Sequence, residues 1–296
     1  MAAQLEAGGE VQLPALRRTA ARLADLFGPD REVRRVLDVG SGPGVMSCVL
    51  AETFAGAEVV AVDGAPGLLD RTLARAERLG LGGRVAVRHA ELPDGLAGGD
   101  GDSGDATGAT DAVSGVGGVG AADLIWSSKA VHHLGDQQGA LNALAGALWP
   151  GGLLAVAEGG LPMRFLPRDI GIGRPGLQAR LDVALESRFE AMRAELPGST
   201  AVVEDWPALL GRAGLTRARG FTTLLDLPAP LDGPARAYLH GQLARMREGV
   251  REVLTGEDLA TLDVLLDPEA PEGILRRPDA FLLAGVTVFT AVRPTH

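Results

Sequence analysis

Short apolar runs and helix-length segments alternate between residues 35 and 157, and this alternation restricts the chain to one class of fold. Val36, Leu37 and Val39 surround Asp38 in a run without polar–apolar alternation, as in a strand buried on both faces. Helical spacing follows over 45–54, and a second apolar run over 58–62 ends in Asp63. The same reading predicts a helix over 67–79 and strands over 84–89, 123–127 and 153–157. It also predicts a helix over 138–148 and a turn at Pro150-Gly151-Gly152. Strands joined by helices of this length make parallel crossovers, so the expectation is an α/β, doubly wound sheet.

The alternation has flanks. A helical opening is expected where Leu13, Leu16, Ala20, Leu23 and Phe27 recur at helical spacing, broken by Pro29. Beyond Gly160, residues 164–196 and 233–266 read as largely helical. Between them lie a helix over 206–213 and a strand over 221–225, and the apolar run 281–292 returns to the sheet. The helical stretches are expected as lid insertions at 161–200 and 230–280 of one domain spanning 1–296. A third insertion, 94–122, holds ten glycines and five aspartates with no Lys, Arg or aromatic residue. Such a segment buries too little apolar surface to offset its ordering entropy and is expected to be flexible.

Charge narrows the partners. The 28 basic residues stand against 38 acidic ones, for a net charge of -10. That balance disfavours acceptors such as nucleic acid or an anionic membrane, whose binding relies on basic contacts. The single cysteine, Cys48, excludes an internal disulfide and a cysteine-based zinc cluster. No secretory leader is read at the N-terminus, and no apolar run is long enough to span a bilayer, so a cytoplasmic protein is expected. Helical insertions of this kind leave a homodimer open.

The loop Gly40-Ser41-Gly42-Pro43-Gly44 follows the first strand, where an open α/β sheet places its ligand. It does not fit the dinucleotide pattern G-x-G-x-x-G, because the next glycine after Gly42 is Gly44 and position 45 is Val. Asp38, two residues before Gly40, would repel a pyrophosphate but suits an ammonium group. Asp63 ends the second strand 19 residues after Gly44, where a carboxylate can accept both ribose hydroxyls. Ala90-Glu91 follows the third strand and would lie beside a base. These positions describe a pocket for an adenosine attached to an amino acid.

The blocks 36–44, 60–63, 123–134 and 148–154 resemble, in order and spacing, the motifs of class I S-adenosylmethionine-dependent methyltransferases. The segments Asp123-Leu124-Ile125-Trp126-Ser127-Ser128-Lys129-Ala130-Val131-His132-His133-Leu134 and Leu148-Trp149-Pro150-Gly151-Gly152-Leu153-Leu154 are similar to its small-molecule, quinone-biosynthesis-like branch. The resemblance implies a Rossmann-like seven-stranded sheet with its last strand antiparallel, and S-adenosyl-L-methionine as cofactor, leaving S-adenosyl-L-homocysteine. It implies cofactor contacts from Asp38, Gly40, Ser41, Gly42, Gly44, Asp63, Gly64, Ala90, Glu91 and Ser127. The chain departs from the family in its insertion at 94–122 and in having Glu91 where an Asp is commoner. The Asn-Pro-Pro-Tyr-type signature of nucleic-acid amino-methyltransferases is absent at Ser127-Ser128-Lys129, which favours a small acceptor, plausible in secondary metabolism.

A sulfonium donor is already activated, so the protein mainly aligns the reactants and excludes water; a base is needed only for a protonated acceptor. The candidates are Lys129, His132, Glu158 and, less strongly, His133. His133 is adjacent to His132, and neighbours on a helix point roughly 100° apart, so the pair is a poor metal site and no metal is expected. His89, His240 and His296 are scattered and read as structural or surface residues. Lys129 is the only lysine in the chain, and it falls at the mouth of the expected pocket. It reads as a contact to an acidic acceptor, as a general base with a lowered pKa, or as a solvated residue at a helix start. Glu158 reads as a base or as an orienting group just past the fifth strand. Arg164, Arg168 and Arg174 open the first lid insertion as solvated charges or as a clamp on an anionic acceptor. Phe165, Phe189, Met192 and Trp206 are expected to pack the lid. The same fold and cofactor also leave room for a non-methylating reaction such as cyclisation, or for a ligand sensor.

Overall fold

The computed structural model describes residues 2–29, 31–91 and 119–295. Nearly all of the Gly/Asp-rich segment, residues 92–118, lies outside the described residues, as does His296. Seven strands carry the fold: β1 (Arg35–Val39), β2 (Glu58–Asp63), β3 (Val85–His89), β4 (Ala122–Ser128), β5 (Leu148–Arg164), β6 (Thr216–Leu227) and β7 (Leu282–Val292). They form one sheet in the order β3-β2-β1-β4-β5-β7-β6. β1 pairs in parallel with β2 and β4, and β2 with β3, so that Asp38 lies level with Ala61 on one side and Trp126 on the other.

β7 runs against its neighbours. The Gly151 amide donates to the Arg293 carbonyl at 2.8 Å, while Gly160, further along β5, abuts Gly285 and Thr287. Residue numbers therefore rise along β5 as they fall along β7. β6 shows the same relation: Thr216 Oγ1 donates to the Val292 carbonyl, and Thr222 meets Thr287.

The helices are α1 (Ala2–Phe27), α2 (Val45–Thr53), α3 (Pro66–Arg78), α4 (Gln137–Gly146), α5 (Leu177–Glu195), α6 (Trp206–Arg212), α7 (Gly233–Gly249) and α8 (Gly256–Leu266). Local signals set several starts. Pro66 opens α3, where its missing N–H leaves no bond unmade. Asp136, Asp205, Asp232 and Thr255 cap α4, α6, α7 and α8 by accepting an amide three residues on. α1 is longer than its apolar period predicts and passes through Pro14. Tight packing at its N-terminal half accounts for this: a Cβ on Gly8 would lie 2.9 Å from the Tyr238 ring of α7.

Two compact units divide the chain. One comprises Phe27–Val156, Thr200–Gly220 and Phe289–His296; the other comprises Met1–Leu26, Ala157–Ser199 and Phe221–Val288. In the first, Leu37, Val39, Val62, Ile125, Leu141 and Leu154 share a core with Trp206, Leu209 and Leu210 of α6. Trp206 stacks on Phe289 and packs this unit, not the lid to which its helical spacing had assigned it. Periodicity shows which face of α6 is apolar but not which core it meets. The second unit, mostly helical, buries Phe165, Leu181, Leu239, Leu243, Leu262 and Ile274 together. Phe189 and Met192 are half-buried on α5.

Candidate active site

β1 ends in a loop whose shape depends on residues without side chains. Gly42 and Gly44 have φ of 57° and 72°, in the left-handed region that other residues enter only with strain. A Cβ on Gly44 would lie 2.4 Å from Thr72 Cγ2, whereas a Cβ on Gly42 would meet nothing within 4 Å. Gly44 is therefore needed for packing, while Gly42 borders open space. The Gly40 and Ser41 amides donate to the Val62 carbonyl at 2.9 and 3.1 Å, tying the loop to the end of β2.

Asp63 completes the attachment. Its Oδ2 accepts the Gly42 amide and its Oδ1 accepts the Ala65 amide, each at 2.9 Å. A carboxylate has about four acceptor sites, so capacity remains for a ligand's hydroxyls. Thr72 of α3 donates to Leu68 O at 3.1 Å and lies 3.3 Å from Gly42 O. Neither Thr72 nor Ala65 was singled out from sequence. The available signal was a polar residue on the buried stripe Leu69, Thr72, Arg75, Ala76 of α3.

Asp38 lies beneath this loop and is 2% exposed. Burial above all, with the nearby Asp63, raises its carboxyl to about 7, against the Ser47 hydroxyl, which donates to Oδ2 at 2.5 Å and lowers it. Two other hydroxyls, Ser41 Oγ and Ser127 Oγ, are buried without a hydrogen-bond partner among the described residues. Ser127 sits on β4 level with Val39. Buried hydroxyls of this kind normally bond something, so these two fit a polar ligand at the loop.

At the other side of Asp63, the Ala90 amide donates to the Asp63 carbonyl at 3.2 Å. His89 Nε2 meets the Gly64 carbonyl at 3.0 Å, and a Cβ on Gly64 would come within 3.5 Å of Glu91 Cγ. Gly64, Ala90 and Glu91 are thus gathered beside Asp63.

The acceptor-side candidates are placed differently. Lys129 is exposed and is not at a helix start: it has φ 53° between β4 and a 3-10 turn at Val131–His133. The next residue, Ala130, packs on the glycine loop, its Cβ only 2.8 Å from where a Cβ of Gly40 would stand. His132 and His133 do not diverge as neighbours on an α-helix would; in the 3-10 turn their rings lie 4.1 Å apart. His132 is half-buried and His133 exposed. Glu158, expected just past the fifth strand, lies inside β5 and is buried, because that strand runs through Pro150–Gly152 and on to Arg164. It belongs to the helical unit, whereas Lys129 and His132 belong to the sheet unit.

The three arginines of the first insertion differ in their partners. Arg174 is held by Asp258 at 2.9 Å and by Glu257 at 3.2 Å, and Arg164 lies 3.9 Å from Asp182. Arg168 is exposed.

Residues 37–154 match the family described as the methyltransferase domain. Over 236 residues the chain is 30% identical to trans-aconitate 2-methyltransferase of Methylobacterium radiotolerans, covering 73% of this chain and 78% of that protein. The chain belongs to the class I S-adenosylmethionine-dependent methyltransferases. Among solved structures, an O-methyltransferase family protein from Burkholderia thailandensis is 15% identical, with a TM-score of 0.49 over 97% of this chain and 57% of that one. Haemonchus contortus phosphoethanolamine N-methyltransferase 2, in complex with S-adenosyl-L-methionine, is 15% identical with a TM-score of 0.47. It covers 94% of this chain, which spans about half of the Haemonchus chain (52%).

S-adenosylmethionine is the cofactor of this methyltransferase. The buried Asp38, the two unpartnered hydroxyls and the open space at Gly42 fit its amino-acid end, and the remaining acceptor capacity of Asp63 fits its ribose. No helix among the described residues is long and apolar enough to cross a membrane.

Proposed function

We propose that this methyltransferase methylates a small organic acid, in a secondary-metabolic role. The observation that carries the reading is Lys129: the only lysine in the chain, exposed at the carboxyl end of β4 on the segment that packs against the glycine loop. Its φ of 53° costs about 1 kcal/mol for a non-glycine residue. The relative from Methylobacterium, named for trans-aconitate, supports an acidic acceptor. The chain's net charge of -10 argues only against a polyanionic acceptor.

In this reading Asp38, Gly40, Ser41, Gly42 and Gly44 hold the amino-acid end of the cofactor. Asp63 and Gly64 take the ribose, Ala90 and Glu91 the adenine, and Ser127 closes the pocket from β4. When bound, the cofactor supplies a methyl group on a positively charged sulfur, already activated for displacement. The residues then align the acceptor and exclude water. A carboxylate acceptor is ionised at neutral pH and needs no base, so the Lys129 ammonium orients it by charge. For an acceptor with a protonated oxygen or nitrogen, His132 of the sheet unit takes the proton. The whole chain is assigned to a single methyltransferase domain.

The test pairs binding with turnover. S-adenosylhomocysteine is titrated calorimetrically into the protein and an Asp63→Ala variant, and a panel of small carboxylic, phenolic and amino acceptors is screened for S-adenosylhomocysteine release. Binding that the variant loses, with turnover on a carboxylic acid, is the expected result. Lys129→Ala should then raise the acceptor KM about two- to fivefold with cofactor affinity intact. Turnover confined to amines or neutral phenols would overturn the acidic-acceptor reading.

A further inference from the structure

We propose that Asp38 is a protonated acid in the ligand-free fold and gives up its proton when an ammonium-bearing ligand binds at the glycine loop. Cofactor loading would then be an exchange of one cation for another. The inference rests on reading this loop as the site for the amino-acid end of S-adenosylmethionine. The balance is simple: the Asp38 carboxylic acid becomes a carboxylate paired with the ligand ammonium, and one proton leaves to solvent.

The geometry favours this. Asp38 is 2% exposed in the middle of β1, with Ala61 and Trp126 level with it on the flanking strands. From α2 the Ser47 hydroxyl bonds it at 2.5 Å, and Cys48 lies beside it as a thiol that burial pushes up to about 11. From the end of β2 it faces a second carboxylate, Asp63, committed to the Gly42 and Ala65 amides. Arg75 and Arg78 of α3 and Glu52 of α2 make themselves felt at Cys48. One neutral hydroxyl bond does not replace the hydration a buried carboxylate loses, so below neutral pH the acid form is the stable one without a ligand. Desolvation places its titration at about 7, within the range where the proton can be exchanged. A ligand ammonium provides the missing counter-charge and reverses the preference.

Calorimetric titration with S-adenosylhomocysteine in two buffers of different ionisation enthalpy counts the protons released. The expected result is about one proton per ligand near pH 6 and close to none near pH 8, where Asp38 is already ionised. 5′-Methylthioadenosine, which lacks the amino-acid end, should bind near pH 6 without releasing a proton. Asp38→Asn should bind S-adenosylhomocysteine with no release at either pH. Binding without release near pH 6 by the unaltered protein overturns the proposal, as does release that persists in the variant. Should the variant not fold, equal release by the two ligands overturns it, and release by S-adenosylhomocysteine alone supports it. Failure of S-adenosylhomocysteine to bind at any pH removes the cofactor site itself, an outcome distinct from binding without proton release.

Discussion

Asp63 and Gly42 are joined by a 2.9 Å hydrogen bond from the Gly42 amide to the carboxylate, so the residue expected to hold the ribose also shapes the loop that holds the amino-acid end. The two halves of the cofactor site are therefore not independent. Asp63→Asn should lose more than a ribose contact, because an amide nitrogen would face either the Gly42 or the Ala65 N–H, both now served by carboxylate oxygens. At about 1.5–3 kcal/mol per charged hydrogen bond, affinity for S-adenosylhomocysteine should fall by roughly ten- to a hundredfold. Titration calorimetry checks this; a loss under threefold would mean that the carboxylate is dispensable.

Gly42 and Gly44 should fail in different ways. Gly44→Ala places a methyl 2.4 Å from Thr72 Cγ2 in a left-handed backbone, which should destabilise the fold by about 2–4 kcal/mol. Gly42→Ala meets no protein atom within 4 Å and should lose only about 1 kcal/mol of stability while weakening S-adenosylhomocysteine binding at least about tenfold. Melting temperature and dissociation constant, measured on both variants, separate a packing glycine from a ligand-facing one.

Asp38 makes the ligand-free protein less stable as pH rises. Its folded value of about 7 lies above the ordinary 3.8, so the fold holds a proton that the unfolded chain releases. The penalty is absent below about pH 4, grows between about pH 4 and 7, and is complete above that, reaching at most roughly 4 kcal/mol. Asp38→Asn should therefore raise the melting temperature at pH 8 relative to the unaltered protein, with the difference shrinking towards pH 4. A difference that does not vary with pH would show that Asp38 is ionised throughout.

Asp258 behaves in the opposite sense. It is 1% exposed and receives Arg180 at 2.8 Å and Arg174 at 2.9 Å, and the Arg180 hydrogen bond holds its carboxyl below the usual range. Its stabilisation is present above the unfolded value of about 3.9 and lost as pH falls through the depressed folded one. With both arginines partly exposed, Asp258→Asn should cost about 1–3 kcal/mol in urea unfolding at neutral pH and less in acid. An unchanged midpoint at neutral pH would remove the pair from the structural framework of the helical unit.

The alternation of apolar runs and helical segments, the glycine loop after Val39 and the acid ending β2 were all legible in the chain, because each depends on neighbours within a few residues. A carboxylate at the end of a strand can be read from the residues alone. That the Asp63 carboxylate is met by the amides of Gly42 and Ala65 cannot, since Gly42 lies 21 positions away.

The order of elements, the doubly wound class and the position of the cofactor loop were determined by sequence alone, through local backbone preference and the periodicity of burial. Only the tertiary structure decided where β5 ends: the strand expected over 153–157 runs on through Gly159 and Gly160, which adopt φ of 66° and 113° inside it. Gly160 is required there because β7 crosses so close that a Cβ would stand 2.2 Å from the Gly285 carbonyl oxygen. It likewise decided that Trp206 joins the sheet core and that Arg174 serves Asp258. The physical reason is common to all three: a residue's local pattern specifies which face it presents, but the partner on that face comes from a distant part of the chain.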